Sequence, residues 1–361
     1  MQRARILEES EIELAARAIR GGELVGMPTE TVYGLAGNAF DVDAVTKIFT
    51  VKERPSFDPL IVHVADNMKS VEALHAAGII DIKLLSNDEL ALTNSLIKEF
   101  WPGPLTIILP KGPKIPDLVT SGLSSVGIRM PAHPLAQKLL KICGMPLAAP
   151  SANRFGRISP TTSAHVDHEL GDRIPFILEG GPCAVGVEST VITIGTNNNS
   201  PHQNKSQIWL IRPGKISSSE LQPFTLNPVE LAKTEHEKAS PGMLLSHYAP
   251  QRKMICLESN QFDDLIAKQT AKSKSLRIGL LVPAGDGSRE LKILSDKGLQ
   301  AHHTILLSPS RSDQEAARNL FAGLRALDNG DIDLIITGIP PTFGGLWLAI
   351  SDRLKRACHI K

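Results

Sequence analysis

The chain has 361 residues, 42% hydrophobic and 21% charged, with a formal net charge of +1. That length suits two or three domains, and the balanced charge excludes a global basic field for nucleic acid. No apolar run reaches the length needed to span a bilayer, and with aromatics at 4% the core must be aliphatic.

In chain order, the first twenty residues place four glutamates between apolar positions. They read as an amphipathic helix and not a targeting segment, opened by a Ser10/Glu13 capping pattern and ended at Gly21–Gly22. Short apolar runs follow at 23–27, 60–64, 105–109, 126–130, 146–149, 176–180, 190–194 and 208–212. Helical patterns lie between several of them, at 41–50, 91–100, 134–143 and 161–170. Strands interleaved with helices at irregular spacing predict an α/β domain with a mixed sheet over residues 1–215. The polar stretch 195–207 reads as a loop. Residues 216–250 read as a linker that packs on something, given Met243, Leu244 and Leu245 in its middle. Over 251–361, a strand with a tight loop at 276–287, strands at 303–308 and 333–340 and helices at 312–329 and 343–358 predict a smaller doubly wound layer. Cys143, Cys183, Cys256 and Cys358 lie far apart without metal-ligand spacing, which suits reduced thiols in a cytoplasmic protein.

The common phosphate-loop, dinucleotide, hydrolase-elbow and zinc-protease motifs are absent. Four loops after predicted strands remain. In 27–40, Thr29 and Thr31 flank Glu30, with Gly34 and Gly37 available for tight turns; alone, this is a plain connection. In 51–63, Lys52 and Arg54 stand two apart, and an extended segment would aim both at one spot, as a polyanion requires. His63, in an apolar strand, suits a core histidine. Arg129 also sits in an apolar strand, where a guanidinium needs a structural ion pair or an anionic ligand. In 146–161, Ser151 and Asn153 can face one pocket, and Ser159 can cap a helix or donate to a phosphate. Cations, hydroxyls and amides without a nucleophile or metal cluster suit a reaction driven by binding and charge neutralisation, such as nucleotidyl transfer.

The set PTETVYGL (28–35), K-x-R-P (52–55), WPGPLT (101–106), IRMPAHP (128–134), APSAN (149–153) and VEST (187–190) resembles the Sua5/YrdC family throughout residues 10–215. The segment 240–250, SPGMLLSHYAP, followed by a small α/β domain resembles the long Sua5 form. The resemblance implies a YrdC-like mixed twisted sheet plus a Rossmann-like C-terminal domain. It also implies an L-threonylcarbamoyladenylate synthase using L-threonine, bicarbonate or CO2, and ATP with Mg2+. Its product serves a threonylcarbamoyl transferase that modifies adenosine 37 of ANN-decoding tRNA. By the same resemblance Lys52 and Arg54 are catalytic. Arg54, Asp58, Ser125, Ser151, Asn153, Ser159 and Arg212 contact ATP. Thr31, His63, Arg129, Ala149 and Ser189 line the threonine pocket, and Arg129 pairs with the amino acid carboxylate. Tyr248 covers the pocket, and no protein metal site is implied. Asp58 stands where the family often has Asn, and a carboxylate cannot donate to a phosphate. A weak tRNA contact belongs to the same expectation. An RNA-binding module and a paralogous carbamoyl-transfer enzyme are the rival readings. Neutral charge over 1–215 opposes the first, and the lack of finger-spaced cysteines opposes the second.

Overall fold

A computed structural model describes residues 3–196, 205–232, 248–269, 276–340 and 344–359. The middle of the expected linker, with Met243, Leu244 and Leu245, and most of the 195–207 loop lie outside the described residues. The chain forms two compact units. Met1–Phe155, Pro160–Ala184 and Glu188–Met243 make the first; Gly156–Ser159, Val185–Val187 and Leu244–Lys361 make the second.

The first unit is built on an eleven-stranded sheet. Its strands are β1 (Arg5–Leu7), β2 (Val25–Met27), β3 (Gly34–Asn38), β4 (Ile61–His63), β5 (Leu105–Pro110), β6 (Ser125–Arg129), β7 (Leu147–Ala148), β8 (Phe176–Leu178), β9 (Thr190–Thr196), β10 (Ser206–Arg212) and β11 (Glu230–Leu231), in the order β1-β8-β2-β3-β7-β4-β6-β5-β9-β10-β11. Pairing is mixed: β4/β6 and β5/β9 run parallel, while β3/β7, β4/β7 and β5/β6 run antiparallel. The helices are α1 (Ile12–Arg20), α2 (Val42–Lys52), α3 (Val71–Ala76), α4 (Asn87–Phe100), α5 (Asp117–Thr120), α6 (Pro134–Cys143), α7 (Ser163–Leu170) and α8 (Ser218–Leu221). In α1, Ile12, Ala15, Ala16 and Ile19 form one buried stripe, packed with Leu139 and Leu140 of α6 over Val25, Met27 and Leu178.

Three segments depart from the sequence reading. Arg5–Leu7 is not helical but pairs in parallel with Phe176–Leu178, and the capping box is Glu8/Glu11 and not Ser10/Glu13. The segment with Gly34 and Gly37 is strand β3 and not a turn. These glycines serve close packing: a Cβ at Gly37 would lie 2.8 Å from Leu24 Cδ2, and one at Gly34 would lie 3.1 Å from Ala149 Cβ. Residues 216–232, expected as linker, hold α8 and the edge strand β11.

The second unit carries a four-stranded parallel sheet, β12 (Lys253–Cys256), β13 (Ile278–Val282), β14 (Ala301–Leu306) and β15 (Leu334–Thr337), ordered β12-β15-β13-β14. Its helices are α9 (Asn260–Gln269), α10 (Ser288–Asp296), α11 (Asp313–Asp328) and α12 (Leu346–Ala357). Ile255, Leu280, Leu294 and Ile336 lie in its core. The expected strands and the last two helices are present; β12, α9 and α10 carried too weak a pattern to be read. Within this unit Arg157 bridges Ala249, and Arg325 donates to the Ile158 carbonyl.

Candidate active site

The site residues of the first unit gather along β4 and its neighbours. α2 ends at Lys52, and Glu53 caps it in the left-handed region at φ 54. Lys52 and Arg54 therefore do not share an extended segment, as spacing alone suggested. A sharp turn brings them together instead. The buried Lys52 ammonium donates to the carbonyl oxygens of Ser151, at 2.5 Å, and Asn153. The Phe155 N–H returns to the Lys52 carbonyl at 2.8 Å, closing the 150–155 loop over the helix end. Burial pushes Lys52 well below the usual ammonium range, and the positive charge of Arg54 adds to the shift.

Arg54 is clamped by its own loop. Its Nε donates to the Asp58 carbonyl at 3.0 Å and its Nη2 to the Pro59 carbonyl at 2.9 Å. The same Nη2 lies 2.8 Å from the Asp58 carboxylate, with both side chains buried, and the guanidinium stands 6.0 Å from the Phe155 ring centre. Asp58 thus faces Arg54.

The loop leads into β4, and at the far end of this three-residue strand lies a second cluster. The register aligns His63 with Arg129 on β6 and with Leu147 on β7, and Arg129 with Thr106 on β5. Arg129 Nη1 donates to Thr31 Oγ1 at 2.8 Å, Nε to the Gly103 carbonyl at 3.3 Å, and Nη2 lies 2.7 Å from the Glu30 carboxylate. Burial pushes His63 down to about 3, with Arg129 adding to the shift, so its imidazole is neutral at physiological pH. Burial pushes the nearby Cys183 thiol up to about 12. Although Glu30 and Arg129 are ion-paired, neither carboxylate oxygen of Glu30 nor Arg129 Nη2 completes a hydrogen bond, and His63 Nδ1 has no hydrogen-bond partner. Buried polar groups are almost always satisfied, so this concentration of open valences marks a place for a polar ligand.

A third group flanks Arg129 through β5. Thr106 Oγ1 lies 2.8 Å from Ser189 Oγ, and Arg212 Nη2 reaches the Ser189 carbonyl and hydroxyl, each at 3.1 Å. Ala149 ties its N–H to the Ile61 carbonyl at 3.0 Å, so β7 passes from the His63 end to the Lys52 end. Ser125 starts β6, at the end where β4 is entered from the Arg54 loop. Ser159 and Tyr248 fall in the second unit. The Tyr248 ring is buried there, 5.7 Å from the Phe321 ring centre and 5.5 Å from the Arg353 guanidinium.

Sequence reasoning assigned no role to Glu30, Thr29, Thr106 or Cys183. Glu30 stood in plain view between two threonines. Thr106 was hidden in an aliphatic run, and only its registration opposite Arg129 discloses it. Among the described residues, no group of three or more His, Cys, Asp or Glu side chains could hold a metal ion.

A mixed α/β unit with buried cations and open polar valences, followed by a small parallel α/β unit, has the charge to hold an anionic ligand. The family model described as "Telomere recombination", covering Sua5, YciO and YrdC, matches residues 17–214. The model described as "Threonylcarbamoyl-AMP synthase, C-terminal domain" matches residues 216–358. The chain belongs to the Sua5/YrdC family, and within it to the threonylcarbamoyl-AMP synthases. It is 36% identical to the threonylcarbamoyl-AMP synthase of Pyrococcus abyssi, over 97% of this chain and 95% of that protein. It is 37% identical to that of Bacillus subtilis, over 97% and 93%. The crystal structure of P. abyssi Sua5 complexed with L-threonine superposes with a TM-score of 0.79 at 35% identity, covering 99% of this chain and 97% of that one.

Proposed function

We propose that this chain converts L-threonine, bicarbonate-derived CO2 and ATP into threonylcarbamoyl-AMP and pyrophosphate. The observation that carries the reading is the cluster of open polar valences at Glu30, His63 and Arg129, in a family whose P. abyssi member has been crystallised with L-threonine. Threonine's α-ammonium first gives a proton to solvent; the free amine adds to CO2 and releases a second proton, and an oxygen of the resulting carbamate attacks the α-phosphorus of ATP as pyrophosphate leaves. Charge builds on phosphate oxygens, which buried cations stabilise. Lys52 and Arg54 take that role, with Asp58, Ser125, Ser151, Asn153 and Arg212 around the nucleotide. Thr31, His63, Arg129, Ala149 and Ser189 surround threonine. Mg2+ arrives with ATP as its phosphate counter-ion. The site so proposed is drawn from the first unit alone.

The product is unstable in water, so a transferase must consume it. We assign that step to the threonylcarbamoyl transferase acting on adenosine 37 of ANN-decoding tRNA, with at most a weak tRNA contact by this chain. Among the described residues no helix is long and apolar enough to cross a membrane. Four free, buried cysteines suit the reducing cytoplasm, where we place the reaction.

Pyrophosphate release from ATP, Mg2+ and bicarbonate, with and without L-threonine, tests the reading. Threonine-dependent release that collapses in Lys52→Ala and in Arg129→Ala is expected. Release indifferent to threonine would overturn it.

A further inference from the structure

The proposed reaction leaves Glu30 unused. It sits in a turn that is rigid on its own account: Thr29 Oγ1 donates to the Val32 carbonyl at 2.6 Å and lies 2.9 Å from Thr31 Oγ1. The Glu30 side chain is 12% exposed, enough for a small ligand to reach it. A carboxylate has about four lone-pair positions to satisfy. Here it has one charged neighbour at 2.7 Å and no completed hydrogen bond. Arg129 Nη2 is equally incomplete, although Nε and Nη1 of the same guanidinium are each bonded.

A purely structural ion pair in such a place would be closed by further donors and acceptors, because an incomplete buried pair is costly. An α-amino acid supplies the missing partners. Its carboxylate and ammonium are separated by a single carbon, so recognition needs a cation and an anion side by side. Arg129 and Glu30 are that pair, with the neutral His63 imidazole beside them and its Nδ1 still open.

We infer that Glu30 receives the α-ammonium group of L-threonine, while Arg129 Nη2 receives its carboxylate, so that the two residues form a clamp for the zwitterion. The inference rests on the threonine reading above and adds a binding residue to it. Before substrate enters, each clamp residue partly satisfies the other. Substrate exchanges one internal contact for two charge-assisted ones.

Calorimetric titration of the full chain tests this with three probes. L-Threonine carries both charges. Its methyl ester keeps the ammonium and loses the carboxylate charge. 2,3-Dihydroxybutanoate keeps the carboxylate and replaces the ammonium with a hydroxyl. Wild type is expected to prefer threonine to dihydroxybutanoate. Glu30→Gln is expected to weaken threonine binding roughly 10- to 100-fold, as a lost charged hydrogen bond does. It should weaken the ester comparably and leave dihydroxybutanoate unchanged or tighter. Glu30→Asp, which keeps the charge, should recover part of the preference for threonine, and matched thermal melts would show that all variants fold. Equal losses for threonine and dihydroxybutanoate would mean that Glu30 only positions Arg129, and would overturn the inference, as would an unchanged affinity for threonine. A wild-type chain that binds no threonine would sink the proposed reaction itself, and the clamp with it.

Discussion

Arg54 is met by a carboxylate of its own loop and Arg129 by one from the 27–40 segment, so an anion bound at either would have to displace a carboxylate. At Arg54 the partner is Asp58, 2.8 Å away, and the guanidinium also holds the backbone oxygens of Asp58 and Pro59. Asp58→Asn keeps the loop's size and both backbone acceptors while removing the competing charge. The KM for ATP should then fall roughly fivefold, the equivalent of about 1 kcal/mol; a rise would mean that Asp58 serves the phosphate-bound cation instead. His63 gives a stability prediction. Its folded pKa is depressed to about 3, so below about 6.5 the unfolded chain binds a proton that the native state refuses. Stability is full above that value and falls with pH between 6.5 and 3. Urea unfolding should show a loss of about 2 kcal/mol between pH 6.5 and 5, and His63→Gln should flatten that slope. Arg129 was visible in the sequence because a cation in an apolar strand demands a partner, and Lys52 and Arg54 because two cations two residues apart suit a polyanion. Which partners they take was not, because Glu30, Asp58 and the Ser151 carbonyl reach them only through the fold.

The elements that carry these residues are short, and their length explains which of them could be read. β4 has three residues and β7 two, yet both coincide with apolar runs, so their existence was apparent while their pairing was not. β3 escaped because a strand with two glycines reads as a turn until Leu24 and Ala149 are seen pressing on it. The amphipathic periodicity of α1, α2, α4, α6 and α7 was plain, but the pattern read for α2 stopped at residue 50, and the helix runs on to Lys52. Glycine has a further use at the start of β9. A Cβ on Gly214 would meet the backbone of the Ser189–Thr190 segment, with the Ser189 carbonyl carbon at 2.6 Å and the Glu188 oxygen at 2.7 Å. Backbone cannot swing aside as a side chain can. Gly214→Ala should therefore cost about 2 to 3 kcal/mol. It should also pull Ser189 away from Arg212 and Thr106, visible as a lowered Tm together with a raised KM for threonine. A lowered Tm with unchanged KM would separate Ser189 from substrate binding.

At the scale of the whole molecule, the sequence was divided where composition changes, but the compact units do not follow the chain so simply. Gly156–Ser159 and Val185–Val187 belong to the second unit, although they lie far from its remaining residues in sequence. No local pattern could announce this, because a segment of three or four residues has no periodicity of its own. The packing of Gly186 makes the consequence measurable. It adopts φ +82, and a Cβ there would lie 2.5 Å from both the Ala317 oxygen and the Arg318 Cα of α11. Gly156, in the same unit, adopts φ +76 with nothing within 4 Å of a Cβ. Alanine at either position incurs the left-handed backbone cost of about 1 to 2 kcal/mol, but only at Gly186 must a helix backbone also give way. Gly186→Ala should therefore lower the stability of the second unit by about 1 to 3 kcal/mol more than Gly156→Ala does. Hydrogen exchange should report the difference in α11, with α1 of the first unit as the internal reference. Equal effects of the two substitutions would show that Val185–Val187 contributes nothing to the second unit's cohesion.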